Sequence, residues 1–235
     1  METIINIENK NLANYIMFKL DKIDNGFTEQ ELNQITEIVI DYSDEVDSSF
    51  IFLEELSQLK NLKAITLRNG YIFNDNYNIF LNLNALSEFT FENCEFENAD
   101  LIASLKLKSL SLINCKIENY AFVNIFEFLE QLTIINGTIE LEKINMIKKL
   151  KYLQLSYSNI LDNIELNIDA LEELYIDNTN IENLNFLNKL FNLKRLSIDE
   201  NQYNKNKNLI DKLINNNVIV LNENMVGFGG ENNEI

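Results

Sequence analysis

The chain has 235 residues, enough for one large domain or two small ones with a sizeable buried core. Its 37 acidic and 19 basic residues give a net charge of -18, which repels phosphate backbones and anionic membrane surfaces and favours a basic or neutral partner. Histidine is absent, which removes the commonest general base and transition-metal ligand, and two cysteines are too few for a disulfide scaffold.

The opening Met1-Glu-Thr-Ile-Ile-Asn-Ile-Glu has no basic segment followed by a long apolar run, so a cytoplasmic protein is the expectation; a secreted form requires a leader that has been removed. Residues 4–7 read as a short strand. From Asn11 to Lys22 the apolar residues Leu12, Tyr15, Ile16, Phe18 and Leu20, with Ile23 beyond, recur at helical spacing; Asn9 or Asn11 caps the start and Asn25-Gly26 turns the end. Thr28-Glu-Gln-Glu31 is a capping box for a second short helical turn.

Beyond it one template returns. Ile35-x-x-Ile38-x-Ile40 is followed by Leu62-x-x-Ile65-x-Leu67, Leu86-x-x-Phe89-x-Phe91, Leu107-x-x-Leu110-x-Leu112 and Leu129-x-x-Leu132-x-Ile134. Then come Leu150-x-x-Leu153-x-Leu155, Leu171-x-x-Leu174-x-Ile176 and Leu193-x-x-Leu196-x-Ile198. With the fourth template position as marker (65, 89, 110, 132, 153, 174, 196), the steps are 24, 21, 22, 21, 21 and 22 residues. One match is weak in any apolar chain, whereas seven in register define a repeat. The fold class expected is an α/β leucine-rich repeat solenoid, a curved horseshoe with a parallel β-sheet on its concave side. So short a period leaves the convex side to 3₁₀ turns or extended segments, as the every-third apolar spacing of Ile181, Leu184, Leu187, Leu190 and Leu193 indicates. Tyr71 to Asn84 and Asn93 to Leu105 are long enough for a short helix. After Tyr203, Leu209, Ile210, Leu213 and Ile214 suggest a last amphipathic helix, Val218 to Leu221 a final edge strand, and Gly227 to Ile235 a mobile tail. The domain reading is therefore 1–40 as helical cap and first strand, 41–203 as repeats, and 204–235 as cap helix, edge strand and tail.

Position nine of the template turns inward and takes a small polar residue: Gly70, Cys94, Cys115, Gly137, Ser158, Thr179 and Asn201. Both cysteines are thereby rungs of one internal ladder, expected as buried reduced thiols, and the glycines interrupt its continuity. Positions three, five and seven face outward by strand alternation. On that face Ile113 and Ile135 are apolar where the surface should be wet, and Tyr152, Tyr157 and Tyr175 lie on the next two coils. Tyrosine and apolar surface of this kind suit a partner-binding site, although β-branched and aromatic residues also simply suit strands. Glu88, Glu92, Glu173, Asp177 and Asp199 flank the patch, with Arg195 beside them, and imply a partner with an apolar centre and a basic rim. The candidate partner-binding set is Ile113, Ile135, Tyr152, Tyr157, Tyr175, Glu173, Asp177 and Arg195. The asparagines at position eight (Asn69, Asn93, Asn114, Asn136, Asn178) could bind a partner's backbone but reflect turn preference more directly. Asp41, Asp44, Glu45 and Asp47 could hold calcium but lack the glycine-bearing loop of a dedicated site, so a solvated acidic loop is expected.

The repeats resemble the bacterial internalin-like type of leucine-rich repeat, Leu-x-x-Leu-x-Leu-x-x-Asn-x-Ile-x-x-Leu, over about residues 11 to 203. Asn11-Leu-Ala-Asn-Tyr-Ile, with Phe27 to Ile38, looks like the helical cap before such repeats. The resemblance implies a non-enzymatic recognition protein holding a protein partner on its concave sheet, with no catalytic residues, metal or cofactor. An intracellular scaffold, effector or inhibitor is the leading expectation, as a monomer binding neither nucleic acid nor membrane; a secreted or surface adhesin of internalin type, a virulence factor, is the alternative.

Overall fold

A computed structural model describes residues 3–43, 53–72, 80–96, 98–117, 123, 126–162, 165–222 and 225–228. The chain forms two compact units, residues 1–118 and 119–235.

The first unit opens with the strand Ile4–Asn6, paired antiparallel with Gly26–Thr28. Between them runs the helix Lys10–Leu20, capped by Asn9, whose side chain accepts the Leu12 N–H at 2.8 Å. Its N-terminal end also draws a carboxylate: Glu55 accepts from the backbone N–H of Glu8 and Asn9, the sign a helix N-terminus favours. Leu12, Ala13 and Ile16 bury its inner face, but Phe18 and Ile23 do not join them. The helix ends at Leu20 with Asp21 in a left-handed conformation, so Ile23 sits in a loop, fully exposed. Gly26 belongs to the second strand rather than to a turn at the helix end. The Thr28–Glu31 capping box is formed as read.

Four parallel strands follow: Glu37–Asp41, Ala64–Arg68, Glu88–Glu92 and Ser109–Ile113. Equal template positions pair without slippage, Ile38 with Ile65, Phe89 and Leu110 in turn. Each coil thus returns the chain to the same height, and inward positions stack on inward positions. The core here is aromatic: Phe89 and Phe91 stack with ring centroids 4.2 Å apart, and Phe80 and Phe96 meet them edge-on at 4.9 Å. The 3₁₀ turns Leu53–Gln58 and Ala99–Ser104 form the opposite side. The segment 73–79 and the acidic residues Asp44, Glu45 and Asp47 lie outside the described residues.

In the second unit the parallel strands are Gln131–Ile135, Tyr152–Gln154, Glu173–Tyr175, Arg195–Ser197 and Ile219–Asn222. Leu132, Leu153, Leu174, Leu196 and Val220 pair in succession, and their side chains are buried. Behind them lie a one-turn helix at Leu141–Ile144 and the expected 3₁₀ turn at Asn185–Lys189. Two features correct the sequence reading. Ile219–Asn222 is not an edge: the antiparallel strand Met225–Phe228 pairs with it, so Gly227 and Phe228 belong to the sheet rather than to a tail. A helix also begins earlier than the periodicity indicated, at Glu200–Lys205, ahead of Lys207–Asn215.

Candidate functional site

Position eight explains itself through backbone conformation. Asn69, Asn93, Asn114, Asn136 and Asn178 all have positive φ, between 53° and 58°. Asparagine tolerates this left-handed region better than any residue but glycine, so the column is a turn requirement. In the first unit the amides also bond to one another. Asn114 Nδ2 donates to Asn93 Oδ1 at 3.1 Å, Asn93 Nδ2 to Asn69 Oδ1 at 2.9 Å, and Asn69 Nδ2 to the Asp41 carboxylate at 2.8 Å. The Asn69 amide, with the Ser43 backbone N–H, holds the Asp41 carboxyl below its usual range. Asp41 is accordingly the terminus of an amide ladder.

Position nine obeys a simple rule: its side chain donates to the position-six carbonyl of the preceding coil. Cys94 Sγ reaches Leu67 O at 3.4 Å, Cys115 Sγ reaches Phe91 O at 3.4 Å, and Ser158 Oγ reaches Ile134 O at 3.0 Å. Both thiols are free and buried, and burial pushes Cys94 up to about 11 and Cys115 up to about 12. The glycines supply no side-chain rung of their own, so the ladder is interrupted at those coils as expected, although the next rung still reaches each glycine-bearing coil; Ser158 also accepts the Gly137 N–H at 3.1 Å. Thr179 departs from the rule and bonds Ile176 O of its own coil. Asn201 is not a rung at all, being exposed on the helix Glu200–Lys205. Its place is taken by Gln202, 1% exposed, whose Nε2 reaches Ile176 O at 3.0 Å, Thr179 Oγ1 at 3.1 Å and Ile181 O at 3.0 Å. The signal for this was present in Asp199-x-x-Gln202, a capping box that closes in the structure. Asp199, read as an acid offered to a partner, spends one oxygen on the Gln202 N–H and the other on the Asn178 N–H.

The outward face of the second unit carries seven of the eight candidate residues; Ile113 ends a first-unit strand, half-buried and paired with Glu92. Tyr152 and Tyr175 occupy neighbouring strands with ring centroids 5.2 Å apart and planes tilted by 37°. Each hydroxyl is anchored along its own strand, Tyr152 to Gln154 Oε1 and Tyr175 to Glu173 Oε2, both at 2.9 Å. Burial, then neighbouring Tyr175 and Glu173, raise the Tyr152 hydroxyl, and burial with Glu173 outweighs Arg195 to raise Tyr175; both remain donors at neutral pH. Arg195 approaches Glu173 at 3.6 Å. Asp177 accepts from Ser156 Oγ at 2.9 Å and Ser197 Oγ at 3.1 Å, and among the described residues no cation pairs with it. Ile135 is half-buried, and Tyr157, at the position-eight turn, is 53% exposed. The Tyr152 and Tyr175 rings thus lie beside the Glu173 carboxylate and Arg195, and no grouping of histidine, cysteine, aspartate and glutamate suited to a metal occurs among the described residues.

The coil geometry has counterparts among solved structures. Internalin C2 from Listeria monocytogenes matches over 94% of this chain and 98% of its own length, with a TM-score of 0.62 and 21% identity. The chain has an internalin-like leucine-rich repeat fold. InlP from the same organism matches 82% of the chain and 64% of its own length at a TM-score of 0.60 and 15% identity. A further Listeria internalin, inlF, matches 90% and 88% at 0.51 and 17%. No protein-family model matches, and no curated protein matches by sequence. At these identities the likeness establishes the leucine-rich repeat fold alone, and this repeat protein's own face must carry the functional argument. No described helix is long and apolar enough to cross a membrane.

Proposed function

We propose that this leucine-rich repeat protein is a non-enzymatic interaction module that holds a protein partner on the outward face of its second unit. The observation that carries the reading is the Tyr152–Tyr175 pair, two part-buried aromatic rings pinned by hydrogen bonds on adjacent strands. Pre-positioned tyrosines lose little rotamer entropy on binding and suit the centre of an interface. Ile135 extends the apolar area, while Glu173 and Asp177, the latter with no cation beside it among the described residues, favour a partner with basic residues around an apolar centre. An intracellular scaffold, effector or inhibitor fits this reading. The second reading, a secreted or surface adhesin, draws on the fold likeness to internalin C2 over almost the whole chain. Localisation of the native product separates the two. Affinity capture from the source cell tests the face itself: a partner retained by the wild type is lost with Tyr152→Ala or Tyr175→Ala at unchanged circular dichroism, and equal retention removes the assignment.

A further inference from the structure

Position two of the template, just after the leucine that opens each repeat, carries charge in both units but balances it in only one. In the second unit the column reads Glu130, Lys151, Glu172 and Lys194, and its signs alternate. Lys151 pairs with Glu130 at 2.8 Å and Lys194 with Glu172 at 2.6 Å. In the first unit the column reads Lys63, Ser87 and Lys108, joined by the same kind of backbone bond: Ser87 N–H donates to Lys63 O at 2.9 Å and Lys108 N–H to Ser87 O at 2.7 Å. Both lysines are exposed, as is Lys106 just before the strand, and among the described residues none of the three pairs with a carboxylate. Elsewhere in that unit Lys19, Lys22, Lys60, Arg68 and Lys116 each do. The same edge holds a cavity of about 230 Å³ between the coil of Phe89 and the coil of Leu110, lined by Phe80, Leu81, Leu83, Leu86 and Leu105, with Lys106 also in its wall. Leu81 is 47% exposed there, so apolar surface reaches solvent beside the cations. The space falls below the roughly 300–1,000 Å³ of a small-molecule site and suits one bulky side chain.

We propose that this edge of the first unit is a second docking site, for an acidic protein segment that seats one bulky apolar side chain in the cavity and lays its carboxylates against Lys63, Lys106 and Lys108. Charge complementarity selects the occupant: three cations without a carboxylate partner, beside an apolar hollow, match an apolar anchor flanked by aspartate or glutamate. The net charge of -18 repels such a segment at a distance, but that field is screened over about 8 Å at physiological ionic strength, so the local lysines decide at contact. The site is independent of the outward face of the second unit, since it shares no residue with that face and takes a ligand of opposite charge.

The test is a fluorescence-polarisation titration at about 0.15 M salt. The probe is a labelled synthetic peptide of eleven residues, one central phenylalanine flanked on both sides by alternating glutamate and glycine. Two control peptides replace the glutamates by glutamine or the phenylalanine by alanine. Two double variants remove equal charge from the same template column: Lys63→Gln with Lys108→Gln, and Lys151→Gln with Lys194→Gln. All four side chains are exposed or rim the sheet, and circular dichroism checks that the fold is kept. The first double variant is expected to bind the acidic peptide about tenfold more weakly than wild type, the second within about twofold of it, and wild type to bind either control peptide about tenfold more weakly. No binding by wild type up to about 1 mM peptide overturns the proposal. Equal weakening by the two double variants shows attraction by net charge only and also overturns it. Unchanged binding of the alanine peptide removes the seated side chain, and a thymidine oligonucleotide that binds where the peptide does not replaces the acidic segment by a phosphate backbone; either result contradicts the assignment.

Discussion

The first unit builds its coils around stacked phenylalanines, fills two consecutive inner rungs with cysteine, and links its turns by an amide ladder that ends on Asp41. The second unit packs the same strand positions with leucine, isoleucine and valine, fills its inner rungs with glycine, serine, threonine and finally Gln202, and puts a pair of tyrosines on its outward strand positions. Register is identical, since equal template positions pair in both. The difference therefore lies in which positions the repeat leaves open to choice. Inward positions four and six tolerate any apolar side chain of suitable volume, and position nine tolerates any donor that reaches the preceding carbonyl. The outward positions are constrained only by the strand, so function can be written there without disturbing the coil.

Core truncation gives the largest effects and probes whether the two interiors are equally well packed. Phe91→Ala removes a buried ring stacked on Phe89 and met edge-on by Phe96, and is expected to cost about 3–5 kcal/mol; Leu174→Ala is expected to cost about 2–5 kcal/mol. Urea unfolding monitored by circular dichroism measures both, and a loss below about 1 kcal/mol at either site contradicts the close-packed interior described. Gln202→Ala comes next. It removes the amide that reaches Ile176 O, Thr179 Oγ1 and Ile181 O, leaves the Ile181 carbonyl short of a donor while Thr179 still serves Ile176 O, and removes the side-chain half of the Asp199 capping box, for an expected loss of about 1–3 kcal/mol. Asn201→Ala, one residue away and exposed, should fall within about 0.5 kcal/mol of wild type.

The cysteine rungs offer a comparison in pH. Their folded-state pKa values lie above the ordinary value of 9.0, at about 11 and about 12, because burial disfavours the thiolate. The unfolded chain therefore loses thiol protons first. The contribution of both rungs is fully present below pH 9.0 and is lost as pH rises towards 11 and 12. The measurement is the difference in urea midpoint between wild type and a Cys94→Ala, Cys115→Ala double variant, followed from pH 8 to pH 10.5: the wild type should lose ground relative to the variant as pH rises. Labelling by a thiol reagent at neutral pH should be slow until denaturant is added. Asp41→Ala should give the smallest change, a modest loss at neutral pH that disappears in acid. The Asp41 carboxyl is held low, so its contribution exists above its unfolded pKa and fades as pH falls through the folded one.

The repeat was legible because its period is a covalent fact: leucine and isoleucine recur at fixed steps, and one register satisfies all of them. The asparagine column was legible as turn chemistry, although its bonding into a ladder depends on side-chain rotamers that no spacing reveals. What escaped has physical reasons. Phe18 sits on a helix whose inner stripe is filled by Leu12, Ala13 and Ile16, so apolar character alone misplaced it. Gln202 supplanted Asn201 because a helix begins at Glu200 and rotates the next residue inward. The strand Met225–Phe228 is too short and too glycine-bearing to announce itself before its partner strand is in place. Within the candidate site, the tyrosines were named by strand alternation, whereas the hydroxyl network around Asp177 and the left-handed backbone at Tyr157 required coordinates.

The central claim is that the outward face of the second unit is where a protein partner sits. Photo-crosslinking tests it most directly, with p-benzoylphenylalanine replacing Tyr175 in one variant and Phe191, exposed in the turn before the strand Arg195–Ser197, in another. Irradiation in the source cell should give a discrete protein adduct from position 175 and none from position 191. An adduct from position 191 alone would contradict the account.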